Sequence, residues 1–173
     1  MNTLKLTLCA AAGTAFLAAM PAVQAQITLP SRTVLLPTTG TKEINLAGSL
    51  FLDGSKPYSL SGTYGRFITP NIEFGGTGSV AGANHSKTVT TLGAFGDYYF
   101  RGGADANNPL IPYVGLFAGY SHKEDSALSG GAQAGVKYFL NPNVALTAEY
   151  QYRSTRRGNG TNQVIFGFST FFR

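Results

Sequence analysis

The sequence contains no tryptophan, and its one cysteine, Cys9, falls within the first 25 residues. Those residues read as a cleavable export signal. Lys5 supplies a small basic start, "LTLCAAAGTAFLAA" an apolar middle, and Val23 and Ala25 the small residues before a cut ahead of Gln26. Leu8 precedes the cysteine where a lipoprotein signal carries a small residue, which argues against lipidation. The apolar run is short for a spanning helix of about 20 residues. Once the signal is removed no cysteine remains, so the chain uses no disulfide although export leads to an oxidising compartment. Charge is scarce too, at 12% of residues against about 25% in an ordinary soluble domain. The net charge of +5 is scattered along the chain, which disfavours a nucleic-acid groove. No further segment is apolar enough for a membrane helix. Nor does the chain show metal-ligand spacing or a phosphate-cradling loop, so neither a metal nor a cofactor is expected.

What the chain does have is period two. In "INLAGSLFL", Ile44, Leu46, Gly48, Leu50 and Leu52 share one face, and Asn45, Ala47 and Ser49 the other. Such alternation marks strands with two chemically different faces. Eight runs show it: 42–52, 58–68, 71–81, 88–100, 111–120, 128–140, 143–153 and 162–172. In each, the apolar face falls on even numbers, as with Ile72, Phe74 and Val80 or Val164, Phe166 and Phe168. The odd face reads as small, polar or charged. The only even-numbered charges in these runs are Lys42 and Arg66, at run ends, while Glu73, Asp97, Lys137, Glu149 and Arg153 are all odd.

Alternation alone also fits a soluble sandwich, with apolar faces joined and polar faces in water. Three features favour the inverse, a membrane barrel with its apolar face outward. The runs are about 10 residues long, which suits a tilted crossing. The odd face is rich in glycine and short polar groups, which suits a narrow, crowded interior. Aromatic residues cluster near the ends of the apolar face, as interfacial girdles do. One girdle is Tyr98, Phe100, Tyr138 and Phe172; the other is Tyr120, Tyr150 and Tyr152. The expected fold is all-β, an eight-stranded antiparallel up-and-down transmembrane β-barrel. The expected organisation is a signal peptide over 1–25, an N-terminal periplasmic arm over 26–41 and an outer-membrane barrel over 42–173.

Two stretches match each other, "RFITPNIEFG" at 66–75 and "YFLNPNVALT" at 138–147. Both run aromatic, aliphatic, polar, Pro-Asn, aliphatic. Proline cannot donate to a ladder and Asn tolerates awkward dihedrals, so each reads as a corner. A third corner, "RGGADANNPLI", carries Asn-Pro, as the 138–147 stretch also does. All three follow even-numbered strands, on the side that holds both termini. The repeat is therefore punctuation between hairpins rather than a duplicated site. "DGSKP", "AGANHSK", "SHKEDSA" and "STRRGNGT" are the connections at the opposite end.

"IPYVGLFAGYS", followed by "GGAQAGVKYFLNPNVALTAEYQYR" and an aromatic-rich last strand, resembles the small outer-membrane β-barrel proteins. That eight-stranded group includes opacity-type proteins and the membrane domain of OmpA. The resemblance covers roughly 42–173 and speaks to fold more than to activity. It implies a bacterial outer-membrane location, short turns and both termini in the periplasm, and insertion by the barrel-assembly machinery. Members usually end on an aromatic residue; here Phe172 is followed by Arg173.

Outer-membrane barrel enzymes use His with Ser near the outer rim. The two histidines here stand in "NHSK" (His85, Ser86) and "YSHKED" (Ser121, His122), with Glu124 or Asp125 available to orient His122. Sequence neighbours seldom supply the geometry of an activated hydroxyl, and the His-x-Ser-Asn pattern of deacylase-type barrels is absent. No catalytic residue is expected. Inside the barrel, Lys137 and Arg153 are expected to pair with Glu149, Asp97 or Glu73, forming a charge network that plugs the bore. Arg153, Arg156 and Arg157 form a candidate contact for lipid phosphate, since guanidinium groups bind phosphate in a bidentate way. The expected function is non-enzymatic: structure, surface interaction or adhesion, with outer-membrane lipid and lipopolysaccharide as partners and no nucleic acid. The alternatives are a small ion or solute channel and a lipid-modifying enzyme using a loop His.

Overall fold

The structure, a computed structural model, describes residues 36–51, 58–83, 86–102, 109–122, 127–155 and 160–173. The expected signal at 1–25 and residues 26–35 of the arm lie outside them, as do His85, Glu124, Asp125, Arg156 and Arg157. Eight strands follow one another: β1 (Lys42–Phe51), β2 (Tyr58–Thr69), β3 (Ile72–Ala83), β4 (Ser86–Tyr99), β5 (Leu110–His122), β6 (Ala127–Asn141), β7 (Val144–Thr155) and β8 (Gly160–Phe172). Each pairs antiparallel with its sequence neighbour, and β1 pairs with β8, so the sheet closes into a barrel. Closure leaves no unpaired strand edge, the condition for a sheet to stand in hydrocarbon. Lys42 lies opposite Phe172, which puts the start of β1 and the end of β8 at one end of the barrel.

The even residues face outward. Leu46, Leu92 and Leu116, mid-strand in β1, β4 and β5, are 63, 68 and 69% exposed. Glu73 and Lys137, by contrast, are only 1 and 4% exposed. In water this distribution would be strongly unfavourable, because burial of apolar surface is the main force of folding. It is the distribution required when the solvent is lipid.

The matching corners fold alike. In both, the register shifts by one residue just before the turn: Phe67 faces Glu73 and Thr69 faces Ile72, as Phe139 faces Ala145 and Asn141 faces Val144. A polar side chain at the end of the first strand accepts backbone N–H groups of the turn. Thr69 Oγ1 accepts from Asn71 at 3.2 Å and Ile72 at 3.0 Å; Asn141 Oδ1 accepts from Asn143 at 2.8 Å. The carbonyls of Asn71 and Asn143 then accept the N–H groups of Tyr99 and Phe171, each at 2.8 Å. A turn at Thr38–Thr41 does the same for β2, the Thr41 carbonyl accepting from Phe67 at 2.8 Å. Gly40 stands in this turn at a φ of 88°, where a side chain would be strained.

The inward face departs from the expectation of small and polar groups. Phe67, Tyr99, Ile111, Tyr113, Phe139, Ala145 and Phe171 form a buried cluster, with Leu36 of the arm packed against it. Four of these are the inward members of a pair whose other member faces out: Arg66 with Phe67, Tyr98 with Tyr99, Tyr138 with Phe139, and Phe172 with Phe171. An eight-stranded bore is just wide enough for side chains to fill, and at this end large rings fill it.

This exposure pattern predicts that Leu116→Lys, which puts a charge on the lipid side at mid-strand, costs about 2–4 kcal/mol of stability. An exposed leucine on a soluble protein would tolerate the same change within about 0.5 kcal/mol. Urea unfolding in phospholipid vesicles measures the difference.

Candidate functional site in the barrel lumen

The lumen is organised around one ammonium. Lys137, on β6, donates to both carboxylate oxygens of Glu43 on β1, and Glu73 on β3 lies 3.7 Å from the same nitrogen. The Nζ atom also sits 5.1 Å from the ring centre of Tyr99 and 5.5 Å from those of Tyr113 and Phe171. A cation away from water needs such company, since ring faces and carboxylates together replace its hydration. The aromatic cluster packs directly around it. Tyr99 stacks on Tyr113 at 5.2 Å, Phe67 meets Tyr99 at 5.1 Å, and Phe139 meets Phe171 at 5.0 Å.

Glu73, Glu149 and Asp97 each take a neutral donor as well. The Tyr99 hydroxyl donates to Glu73 at 2.5 Å, the Tyr113 hydroxyl to Glu149 at 2.6 Å, and the Gln133 amide to Asp97 at 2.7 Å. From Gln133 a hydrogen-bonded belt runs around the wall. Gln151 donates to Gln133 at 3.2 Å, Gln163 donates to Gln151, and Ser49 donates to Gln163 at 3.3 Å. Ser49 also contacts the Ser59 hydroxyl at 2.5 Å. A second layer joins Asn45 to Ser169 at 2.8 Å and to Thr147 at 3.2 Å. Both sets cross the seam where β8 meets β1.

Of the pairings expected among Glu73, Asp97, Lys137, Glu149 and Arg153, the structure shows Lys137 with Glu73 at 3.7 Å, and the others take different partners. Lys137 pairs first with Glu43, a residue the alternation places on the same odd face but which was not among the expected partners. The β6–β7 register sets Glu149 opposite Gly135 and leaves its carboxylate on Tyr113, not on Lys137. Among the described residues Arg153 reaches no carboxylate. Its guanidinium lies 5.3 Å from the centre of the Phe117 ring and donates to Gln151 at 3.3 Å. It turns inward, because an odd position on β7 must. Beneath this contact Gly131 leaves the space that Phe117 and the neighbouring strand occupy: a Cβ there would meet the Tyr152 carbonyl oxygen at 1.9 Å and Phe117 at 2.9 Å. The residues that sequence reasoning missed are therefore Glu43 and the inward aromatics. Parity alone would have found all of them.

The outward aromatics lie where the alternation puts them. Tyr98, Phe100, Tyr138 and Phe172 are exposed at the end that holds the Pro-Asn corners, and Tyr98 meets Phe100 edge-on at 5.1 Å. Tyr120, Tyr150 and Tyr152 are exposed further along the wall, and the Tyr150 hydroxyl donates to Asn162 at 2.6 Å. At the corner end, Arg101 donates to the Pro37 carbonyl and lies 5.9 Å from the Phe67 ring centre, tying the arm to the cluster. Burial holds its guanidinium below the ordinary arginine value. Ser121 shares a hydrogen bond with Thr91 at 2.9 Å, and the side chain of His122 lies outside the described residues. Among the described residues no group of three His, Cys, Asp or Glu could hold a metal ion.

Above the Lys137 site the bore widens into a cavity of about 260 Å³. Its two sides differ. Hydroxyls of Ser59, Ser61, Thr63, Thr77 and Ser79 line the β2–β3 side, while Phe95, Tyr113 and Phe117 stand among the lining of β4 and β5.

No protein-family model and no curated protein matches the chain. Solved structures do. The N-terminal β-barrel domain of Pseudomonas aeruginosa OprF aligns at 17% identity over 79% of this chain and 100% of that one, with a TM-score of 0.61. Neisserial surface protein A (NspA) aligns at 20% identity over 76% of this chain and 95% of that one, with a TM-score of 0.54. A de novo designed transmembrane β-barrel aligns at 19% identity over 80% of this chain and 100% of that one, with a TM-score of 0.61. That a designed barrel matches as well as a natural domain shows what the likeness reports, which is architecture. The chain has the fold of an eight-stranded antiparallel transmembrane β-barrel.

The lumen geometry predicts that Lys137→Met, which leaves Glu43 and Glu73 buried without their cation, lowers stability by about 3–5 kcal/mol. Adding Glu43→Gln and Glu73→Gln to that variant recovers part of the loss. Urea titration in phospholipid vesicles reads both.

Proposed function

We propose that the chain is a non-enzymatic integral protein of the bacterial outer membrane, whose lumen is plugged and whose role is structural or surface-interactive. Residues 1–25 export it as a signal peptide, the barrel-assembly machinery inserts it, and both termini face the periplasm. Supporting the location are the outward apolar belt and a fold shared with outer-membrane barrels. The plug rests on one observation: the inward rings of Phe67, Tyr99, Tyr113, Phe139 and Phe171 pack together at the end where β1 starts and β8 ends, with the Lys137 ion pairs beside them. An ion crossing there would have to part stacked rings and a buried salt bridge. The non-enzymatic reading is supported by the engagement of Ser121 with Thr91, which gives the hydroxyl a partner other than a base.

Lipopolysaccharide is the proposed lipid partner. Arg153 faces the lumen, so the contact with lipid phosphate falls to Arg156 and Arg157, on the connection between β7 and β8. Replacing both with glutamine is expected to weaken binding to vesicles carrying lipid phosphate, and unchanged binding removes that contact.

In planar bilayers the wild-type chain should show no single-channel conductance, whereas Phe139→Ala/Phe171→Ala should open discrete conducting events. Conductance by the wild type at the same level as the variant overturns the plug in favour of the channel.

A further inference from the structure

We propose that the lumen cavity is a binding site for a small, neutral, polyhydroxylated molecule of monosaccharide size. The inference rests on the plugged lumen argued above, which makes the bore a cup with a floor.

Four observations carry it. The first is room. The cavity of about 260 Å³ lies just below the roughly 300 Å³ at which pockets for drug-sized ligands begin, and barrel mouths are a common place for such sites. The second is unspent hydrogen bonding. Among the described residues, the hydroxyls of Thr63, Thr77 and Ser79 line the cavity and make no hydrogen bond to another group. Each can both donate and accept.

The third is the opposite side. Asp97 receives Gln133 on one oxygen and Glu149 receives Tyr113 on one oxygen. The second oxygen of each carboxylate has no partner and is not sealed from the cavity. Two carboxylate oxygens and three hydroxyls thus line one cavity with hydrogen-bonding capacity to spare. A molecule with several hydroxyls satisfies both sides, giving protons to the carboxylates and exchanging them with the Ser and Thr groups. The fourth is the presence of ring surface. Phe95 lines the same cavity and offers an apolar face to the C–H side of a sugar ring. Elsewhere among the described lumen residues the glutamine belt is linked end to end, and the one unpartnered oxygen of the Lys137 site, Oε1 of Glu73, is sealed from the cavity.

A purely cationic ligand is the weaker fit. Lys137 already occupies Glu43 and Glu73, and Arg153 already occupies the face of Phe117. A cation would also leave the hydroxyl side unused.

The test is solution NMR of the full chain in lipid nanodiscs, titrated with D-glucose and, separately, with putrescine as a cationic probe. Glucose is expected to move the amide signals of Thr63, Thr77, Ser79 and Gln133 and to leave outward residues such as Leu46 unmoved. Thr77→Val should weaken the response roughly threefold to tenfold, the value of one neutral hydrogen bond. Ser79→Phe, which fills the cavity, should abolish it. Three results overturn the proposal: no shifts up to the solubility of the sugar, glucose shifts that survive Ser79→Phe, or lumen shifts with putrescine alone. Conductance separates this from the plug. A barrel that conducts yet shows glucose shifts loses its floor and keeps its site, and a silent barrel without shifts does the reverse.

Discussion

A single buried ammonium organises the interior. With lipid outside, the bore is the only place where the strands can put polar side chains, and acids outnumber bases there. Glu43, Glu73, Asp97 and Glu149 face inward against Lys137 and Arg153. Lys137 is the base that meets acids directly. It draws Glu43 and Glu73 together from β1 and β3, strands that are far from β6 around the wall. The pair is therefore a brace across the barrel, and it works in a setting where water competes poorly. The other acids are left to neutral donors, Asp97 to Gln133 and Glu149 to Tyr113, while Tyr99 adds a hydroxyl to Glu73.

The second constraint is the need to end each hairpin. At one end of the barrel the same device occurs four times. A residue just before an odd-numbered strand offers its carbonyl to the N–H of an inward aromatic near the end of an even-numbered strand. The pairs are Thr41 with Phe67, Asn71 with Tyr99, Pro109 with Phe139 and Asn143 with Phe171. Because the residue beside each aromatic faces outward, one short aromatic-bearing segment serves two media. Its outer member stands on the exposed face and its inner member joins the buried cluster.

Much of this was legible in the sequence. Period two over eight runs fixes strand number and face, and the recurring Pro-Asn corners fix the side of the short turns. Strand limits then follow to within a few residues; β4 reaches back to Ser86 and β6 on to Asn141, where the alternation is interrupted by small residues or a register shift. The interior was less legible. Parity says that Glu43, Lys137 and Glu149 share a face, but partner choice depends on depth along the barrel and on distance across it. Neither is written in a periodic pattern. Lys137 and Glu149 are diagonal neighbours on adjacent strands, yet the lysine reaches across to β1 instead. The inward aromatics were hidden for a different reason. Paired with outward rings in "YYF", "YFL" and "FFR", they read as one aromatic set rather than as an outward and an inward one.

The glutamine belt has an arrow. Ser49 gives its proton to Gln163, so the short contact with Ser59 can only be donated by Ser59. From there every link points one way, through Gln163, Gln151 and Gln133 to the carboxylate of Asp97, which only accepts when ionised. An anion at the terminus thus sets the orientation of five side chains on five other strands. Were the last acceptor an amide, the whole file could run clockwise or anticlockwise with little to choose between them, and the wall would hold two degenerate patterns in place of one.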